Sequence, residues 1–338
     1  MRYIGSKENL LGLIDRTVSE HGIAGGVFCD LFAGTTVVGR HFKRQGYRVI
    51  SNDLMEYSYV FGKAYIENNA EVDRLEQLLA YLNSLPPVRD FMFDNYSDEG
   101  TASAEFRRMY FSAANAGKID AIRCRIAGWA RERAVSEAGC YVLLASLLEA
   151  VPGVSNTTGT YGAFLKYWEA RSQKPLTLTL PPLVCSEGRH EVHRRDANAL
   201  AREIECDVLY LDPPYNSRQY ATNYHILETV ALWDYPAVYG KSGLRPYQGE
   251  KSAYCRTDGA LAALRDLVGD ARCRLLLLSY NSEGIMPHEA ICDILAQRGS
   301  LTVTEQTYRR YRSDSDHSKR RYRAGGEVVE RVYALSMG

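Results

Sequence analysis

Short apolar runs punctuated by glycine, proline and polar residues recur along the chain: GGVFCDLF (25–32), YRVISND (47–53), EVHRRDA, DVLYLD, RLLLLSYNS, LTVTEQTYRRY and EVVERVYALSM. Each predicts a strand, and the most apolar of them suit central strands of a parallel sheet covered on both faces. Between the first two, GTTVVGRHFKRQG (34–46) reads as a helix stopped by Gly46, giving a βαβ unit whose second strand ends on Asp53. From about 57 to 185 the period becomes helical, with Leu75, Leu78, Leu79 and Leu82 on one face and a helical stretch from Ile119 to Trp129. The prolines of KPLTLTLPPLV close that block. The last two strands, joined by a polar loop rich in arginine, predict an antiparallel hairpin at a sheet edge. The expected architecture is an α/β sheet domain, 1–56 and 186–338, interrupted by a mostly helical insertion, 57–185.

At 338 residues the chain has room for one large α/β domain with an insertion, or for two domains. Its 46% hydrophobic and 24% charged residues are ordinary for a globular protein, and no repeat of solenoid period is present. Lys7 and Glu8 interrupt what would be the core of a signal peptide, and no run approaches membrane-spanning length, so a cytoplasmic protein without a membrane partner is expected. The eight cysteines form no C-x-x-C pair, which points to reduced, mostly buried thiols rather than a zinc site. Lys plus Arg and Asp plus Glu balance at 41 each, so nucleic-acid binding would have to rest on local clusters of positive charge.

Candidate chemistry concentrates in DVLYLDPPYNSRQY (207–220). Asp212 stands where the apolar strand stops, and Pro213 and Pro214 end the ladder and stiffen the exit. Ligands of open α/β sheets bind at the carboxyl ends of strands. An acid, a rigid carbonyl-only segment and the ring of Tyr215 at that edge suit a planar substrate bearing an amine. Near the N-terminus, DLFAGTTVVG follows the first strand and opens a helix, where a nucleotide-like cofactor would sit. It lacks G-x-G-x-x-G, since four residues separate Gly34 from Gly39. Asp53 is placed either to accept from two ribose hydroxyls or simply to end a strand.

In this order the motifs resemble those of the Dam-like, alpha-group adenine-specific DNA amino-methyltransferases. RYIGSK is similar to the family's N-terminal motif, DLFAGTTVVG to its glycine turn, SNDL to its ribose-binding acid and LYLDPPY to its catalytic motif. MYFSAANAGKIDAIRCRIAGW, NTTGTYGAFLKYW and SRQYATNYHILETVALWD resemble stretches of a subgroup serving restriction–modification systems. The resemblance implies a Rossmann-like methyltransferase sheet and S-adenosylmethionine as cofactor, with no metal. It implies that Tyr3 and Lys7 contact the cofactor, Lys7 through its carboxylate, and that backbone amides of Phe32, Ala33 and Gly34 approach the methionine end. Asp53 would hold the ribose. Asp196 would accept from the adenine ring while also capping the helix that starts at ANALAREI, and Ala197 would line the slot. His190 and His193 are taken as ordinary polar residues on opposite faces of a strand.

For catalysis, the Asp212 carboxylate and the Pro213 carbonyl would each accept one N–H of the adenine amine, turning its lone pair toward the methyl group in a direct in-line displacement. Tyr215 would stack on the base, worth ~1–3 kcal/mol, and flipping that base out of a duplex costs roughly a few kcal/mol. Tyr220 and Asn223, with Asn216, Ser217 and Tyr224, are placed either to close over the base or to pack. The hairpin loop's Arg310, Arg312, Arg320 and Arg321, interleaved with tyrosines, suit DNA phosphates. The arginines of the insertion read as a solvated face, although the family places target recognition in that region. Duplex DNA and a cognate restriction endonuclease are the implied partners, in a bacterial cytoplasm. Other readings are a nicotinamide dehydrogenase, which would need the missing third glycine; the same chemistry on RNA adenine or DNA cytosine; and a catalytically silent DNA-binding subunit, which would have no use for the cofactor motifs.

Overall fold

A computed structural model describes residues 7–309 and 327–337, which divide into two compact units. The sheet unit takes residues 7–54, 186–219 and the described part of 250–338; the helical unit takes Met55–Cys185 and Tyr220–Gly249.

Among the described residues all seven expected strands form, in one sheet. They are β1 (Val27–Asp30), β2 (Arg48–Asn52), β3 (Glu191–His193), β4 (Cys206–Leu211), β5 (Cys273–Asn281), β6 (Gly299–Arg309) and β7 (Glu327–Met337), in the order β3-β2-β1-β4-β5-β7-β6. The first five are parallel, and β7 runs antiparallel to both β5 and β6. This is the Rossmann-like sheet with a C-terminal hairpin that the sequence predicts. The unit's helices are α1 (Leu11–Glu20), α2 (Val37–Arg44), α8 (Ala197–Ala201), α11 (Ala260–Asp270) and α12 (His288–Leu295).

Alternation along the strands sends side chains to two different cores. Leu209, Leu211, Leu276 and Leu278 pack with Leu200 of α8, Leu264 and Leu267 of α11, and Ile291 and Leu295 of α12. On the opposite parity Phe28 stacks on Phe42 of α2 at 3.8 Å between ring centroids and also faces Tyr210. Burying a side chain of that size stabilises by ~1.5–3 kcal/mol. The start of β1 is held against β4 by a polar contact: Val27 N–H donates to Asp207 Oδ2 at 2.8 Å. Gly26 makes room for it, since at its φ of +102° a Cβ would lie 2.1 Å from that oxygen. Because β1, β2 and β4 are parallel and in register, with Asp30 opposite both Ser51 and Tyr210, they all end at one edge.

The helical unit contains α3 (Glu56–Gly62), α4 (Leu75–Ser84), α5 (Phe91–Tyr96), α6 (Ala113–Glu132), α7 (Glu137–Val154), α9 (Tyr220–Asn223) and α10 (His225–Leu232). Ser112 and Ser136 cap α6 and α7 with their side chains. Two buried carboxylates do similar service: Glu228 on α10 accepts from the amides of Glu56 and Tyr57, and Asp120 on α6 from those of Asp90, Met92 and Phe93. By length and composition α7 could cross a membrane, an exception to the expectation that no run comes near, yet 61% of it is buried inside the protein.

The boundary drawn from the sequence differs from the observed division. Tyr220–Gly249, assigned to the sheet domain, belongs to the helical unit. Nor is 57–185 helical throughout: after Val154 its only helical element is the short turn Ala170–Gln173.

Candidate active site

Strand ends bring three carboxylates to the same sheet edge: Asp30 on β1, Asp53 after β2 and Asp212 after β4. The turn between β1 and α2 is tightly wound, with φ of +51° at Gly34 and +62° at Thr36. Its amides are largely used within the chain. Ala33 N–H donates to the Asn52 carbonyl at 2.9 Å and Gly34 N–H to Asp53 Oδ2 at 2.8 Å. The Ala33 and Gly34 amides, expected to approach a cofactor, here fasten the turn to the end of β2. Phe32 packs its ring edge-on against Tyr254, 5.2 Å between centroids. The Tyr254 hydroxyl in turn donates to the Asn198 side chain of α8. Asp196 caps α8, accepting from Ala199 N–H at 3.0 Å, and the adjacent Ala197 is buried.

Asp30 was not singled out in the sequence reading, although a carboxylate ending an apolar strand just before the turn is a signal. It is 1% exposed and its Oδ1 has no hydrogen-bond partner among the described residues. Burial, reinforced by the charges of Asp212 and Asp53, pushes its pKa up to about 8, while the amides of Phe32 and Gly39 pull the other way.

Asp212 is buttressed from behind. Lys7 Nζ lies 3.0 Å from its carboxylate and 2.5 Å from that of Glu330 on β7. Asp212 is 19% exposed, against 8% for Lys7 and 1% for Glu330, so the catalytic candidate is on the open side of the cluster. Burial raises the Asp212 pKa to about 6, with Lys7 opposing and Glu330 adding to the rise. Burial alone would lower the Lys7 pKa, but the two carboxylates more than offset that and hold it well above its ordinary value. Lys7, expected on a cofactor carboxylate, thus meets two carboxylates of its own chain. Pro213 is buried, and the Tyr215 carbonyl accepts from Ile285 N–H at 3.0 Å, tying the motif to the loop after β5.

Glu330 was likewise missed. Its signal is an acid among Val328 and Val332 on the inward face of a strand, where charge is rare unless paired. Tyr220 and Asn223 lie on α9 of the helical unit. There Tyr220 stacks on the buried Tyr224, and the Asn223 carbonyl accepts from Tyr161 N–H. His190 is not an ordinary polar residue: it is buried just before β3, its Nδ1 accepts from Val49 N–H, and burial with nearby Lys43 and Arg48 lowers its pKa to about 4. Among the described residues no group of three or more His, Cys, Asp or Glu is arranged to hold a metal. Tyr3, Arg310, Arg312, Arg320 and Arg321 lie outside the described residues.

Comparison with known proteins decides what this arrangement belongs to. The description of the D12 class N6 adenine-specific DNA methyltransferases matches residues 3–294. The chain belongs to that family. This methyltransferase is 40% identical over 322 residues to the type II methyltransferase M.NlaIII of Neisseria lactamica, a match spanning 94% of this chain and 95% of that one. It is 41% identical over 327 residues to the type II methyltransferase M.FokI of Planomicrobium okeanokoites, and 41% over 324 residues to the modification methylase StsI of Streptococcus sanguinis. Each of these matches covers 93% of this chain but only 50% and 49% of the relative, so the chain spans about half their length. No solved structure matches it. Adenine-specific methylation of DNA is the enzyme's activity, which decides against RNA, cytosine and dehydrogenase chemistry.

Proposed function

We propose that the methyltransferase takes its methyl group from S-adenosylmethionine, attaches it to an adenine flipped out of duplex DNA, and acts as the modification enzyme of a restriction–modification system. Support for the last point comes from relatives named as type II methyltransferases and modification methylases. The observation that carries the reading is the line of Asp30, Asp53 and Asp212 at neighbouring strand ends, one of them holding a buried oxygen without a hydrogen-bond partner among the described residues.

That oxygen fits the cofactor's methionine ammonium, a cation that would draw Asp30 back to its ionised form. Asp53 would hold the ribose, and Asp196 and Ala197 the adenine ring, with Phe32 beside them. When bound, S-adenosylmethionine supplies a sulfonium methyl group, for which no metal and no covalent enzyme intermediate are needed. Asp212 and the Pro213 carbonyl accept the two N–H bonds of the target amine and direct its lone pair outward. Once the nitrogen carries the methyl group it holds one proton too many. The Asp212 carboxylate, already hydrogen-bonded there and with a pKa raised to about 6, takes that proton and leaves a neutral methylated adenine. Tyr215 stacks on the extruded base, and the helical unit carries target recognition.

The test is methylation of plasmid DNA with labelled cofactor, followed by base-resolution mapping. Label on N6 of adenine within one short sequence is expected. Label scattered without sequence preference would sink the modification role.

A further inference from the structure

We propose that Glu330 is a positioning residue for methyl transfer: from β7 it holds the Lys7 ammonium against Asp212, and its charge keeps Asp212 a usable proton acceptor. The family match ends at residue 294, before β7 begins, and assigns this residue nothing. The inference rests on the acceptor role proposed for Asp212.

Sheet geometry places the cluster. Glu330 is opposite Asn281 on β5 and Gln306 on β6. Because β7 is antiparallel, its early residues arrive where β5 ends, at the same edge as Asp212. Parity puts Glu330 on the face of Ser279, whose hydroxyl accepts from Tyr210, and Tyr210 shares its face with Asp212 two residues on. Lys7, in the segment leading to α1, inserts between the two acids. The groups facing Asp212 are therefore Lys7, Glu330, the hydroxyls of Tyr210 and Tyr215, and Asp30 at the end of β1.

Charge explains why two acids share one lysine. Burying a carboxylate as completely as Glu330 is costly unless it is paired. With Lys7 alone, Asp212 would form a neutral pair, and the ammonium would weaken its hold on a proton. A second carboxylate on the same ammonium leaves the cluster one charge negative and offsets that pull. Lys7 then orients Asp212 without disarming it, and Glu330 orients Lys7.

The Asp212 carboxyl can be titrated by NMR in protein carrying 13C-labelled aspartate, its signal assigned with Asp212→Asn. Wild type is expected to titrate near pH 6. Glu330→Gln, which keeps an acceptor for Lys7 but removes the charge, should titrate lower, and Glu330→Asp should stay near wild type. Single-turnover methylation of plasmid DNA over the same pH range should show its acid limb moving with the titration. A second pair, Lys7→Met alone and Lys7→Met with Glu330→Gln, reads the same Glu330 contribution without a lone buried cation, and the double variant should titrate below the single one. An Asp212 titration unchanged or raised on loss of the Glu330 charge, in either background, overturns the proposal. A titration that moves while the rate limb stays put would leave the Glu330 effect standing and remove the acceptor role of Asp212 on which it rests.

Discussion

Cofactor binding should depend on pH through Asp30, and the size of the effect follows from its surroundings. With a pKa of about 8, set first by burial and then by Asp212 and Asp53, the free protein carries Asp30 mostly protonated near neutrality. If the cofactor's ammonium binds the ionised form, apparent affinity is reduced by the ionised fraction, which is roughly 1% at pH 6 and about half at pH 8. The dissociation constant should then fall about fiftyfold between those values, with close to one proton released per cofactor near pH 6.5. The cofactor's own amine loses its charge near pH ~8, so about half of it is neutral there; this cuts the observed fall to roughly twenty-five-fold and sets the upper end of the window. Asp30→Asn retains an acceptor for the facing amides but cannot ionise, so its affinity should be weak and nearly flat over the same range. Calorimetric titration in two buffers of different ionisation enthalpy measures affinity and proton release together. The free protein offers an independent check. Because the folded pKa lies above the ordinary 3.8, folding favours the protonated acid; this contribution to stability is whole below about pH 4 and is lost as pH rises through about 8. Melting temperature should thus fall between pH 6 and 9, and less so for Asp30→Asn. A wild-type affinity flat from pH 6 to 8, or an equal slope in Asp30→Asn, would refute the assignment of Asp30 to the ammonium.

Asp212→Ala should abolish methyl transfer in a protein that still melts cooperatively, since the amine loses one acceptor and its proton has nowhere to go; near-normal turnover would sink the mechanism. Gly26→Ala should destabilise the sheet unit, because its Cβ would meet Asp207 Oδ2 at 2.1 Å. Left-handed strain of ~1–2 kcal/mol and a disturbed Asp207–Val27 hydrogen bond of ~1–3 kcal/mol set the scale, read as a lower denaturation midpoint at unchanged slope, and an unaltered midpoint would contradict it. Replacing Arg320 and Arg321 with Gln should flatten the dependence of log DNA affinity on log salt by roughly 0.9 per charge and weaken cognate and random duplexes alike. Loss confined to the cognate duplex would instead move sequence reading into the hairpin.

By itself the sequence determined the strands, their class and the strand edge at which Asp212 stands. Runs such as VLYL and LLLL are apolar at every position because both faces of a parallel sheet are covered, and the prolines after Asp212 mark where that strand must stop. Those signals are local: each depends on residues within a few positions of one another. What only the tertiary structure decided depends on distance. Residues 225–231 of α10 are buried in succession, but nothing along Tyr220–Gly249 says which core receives them, so their place in the helical unit could not be read from the sequence. That the amides of Ala33 and Gly34 meet Asn52 and Asp53 could not be read from the turn alone, because a turn's partners depend on which strand end lies next to it. Lys7 and Glu330, 323 positions apart, carry no mutual signal along the chain. Their pairing exists because an antiparallel last strand returns an acid to the edge where the first residues and the central strand meet, and in that buried place opposite charges must find each other.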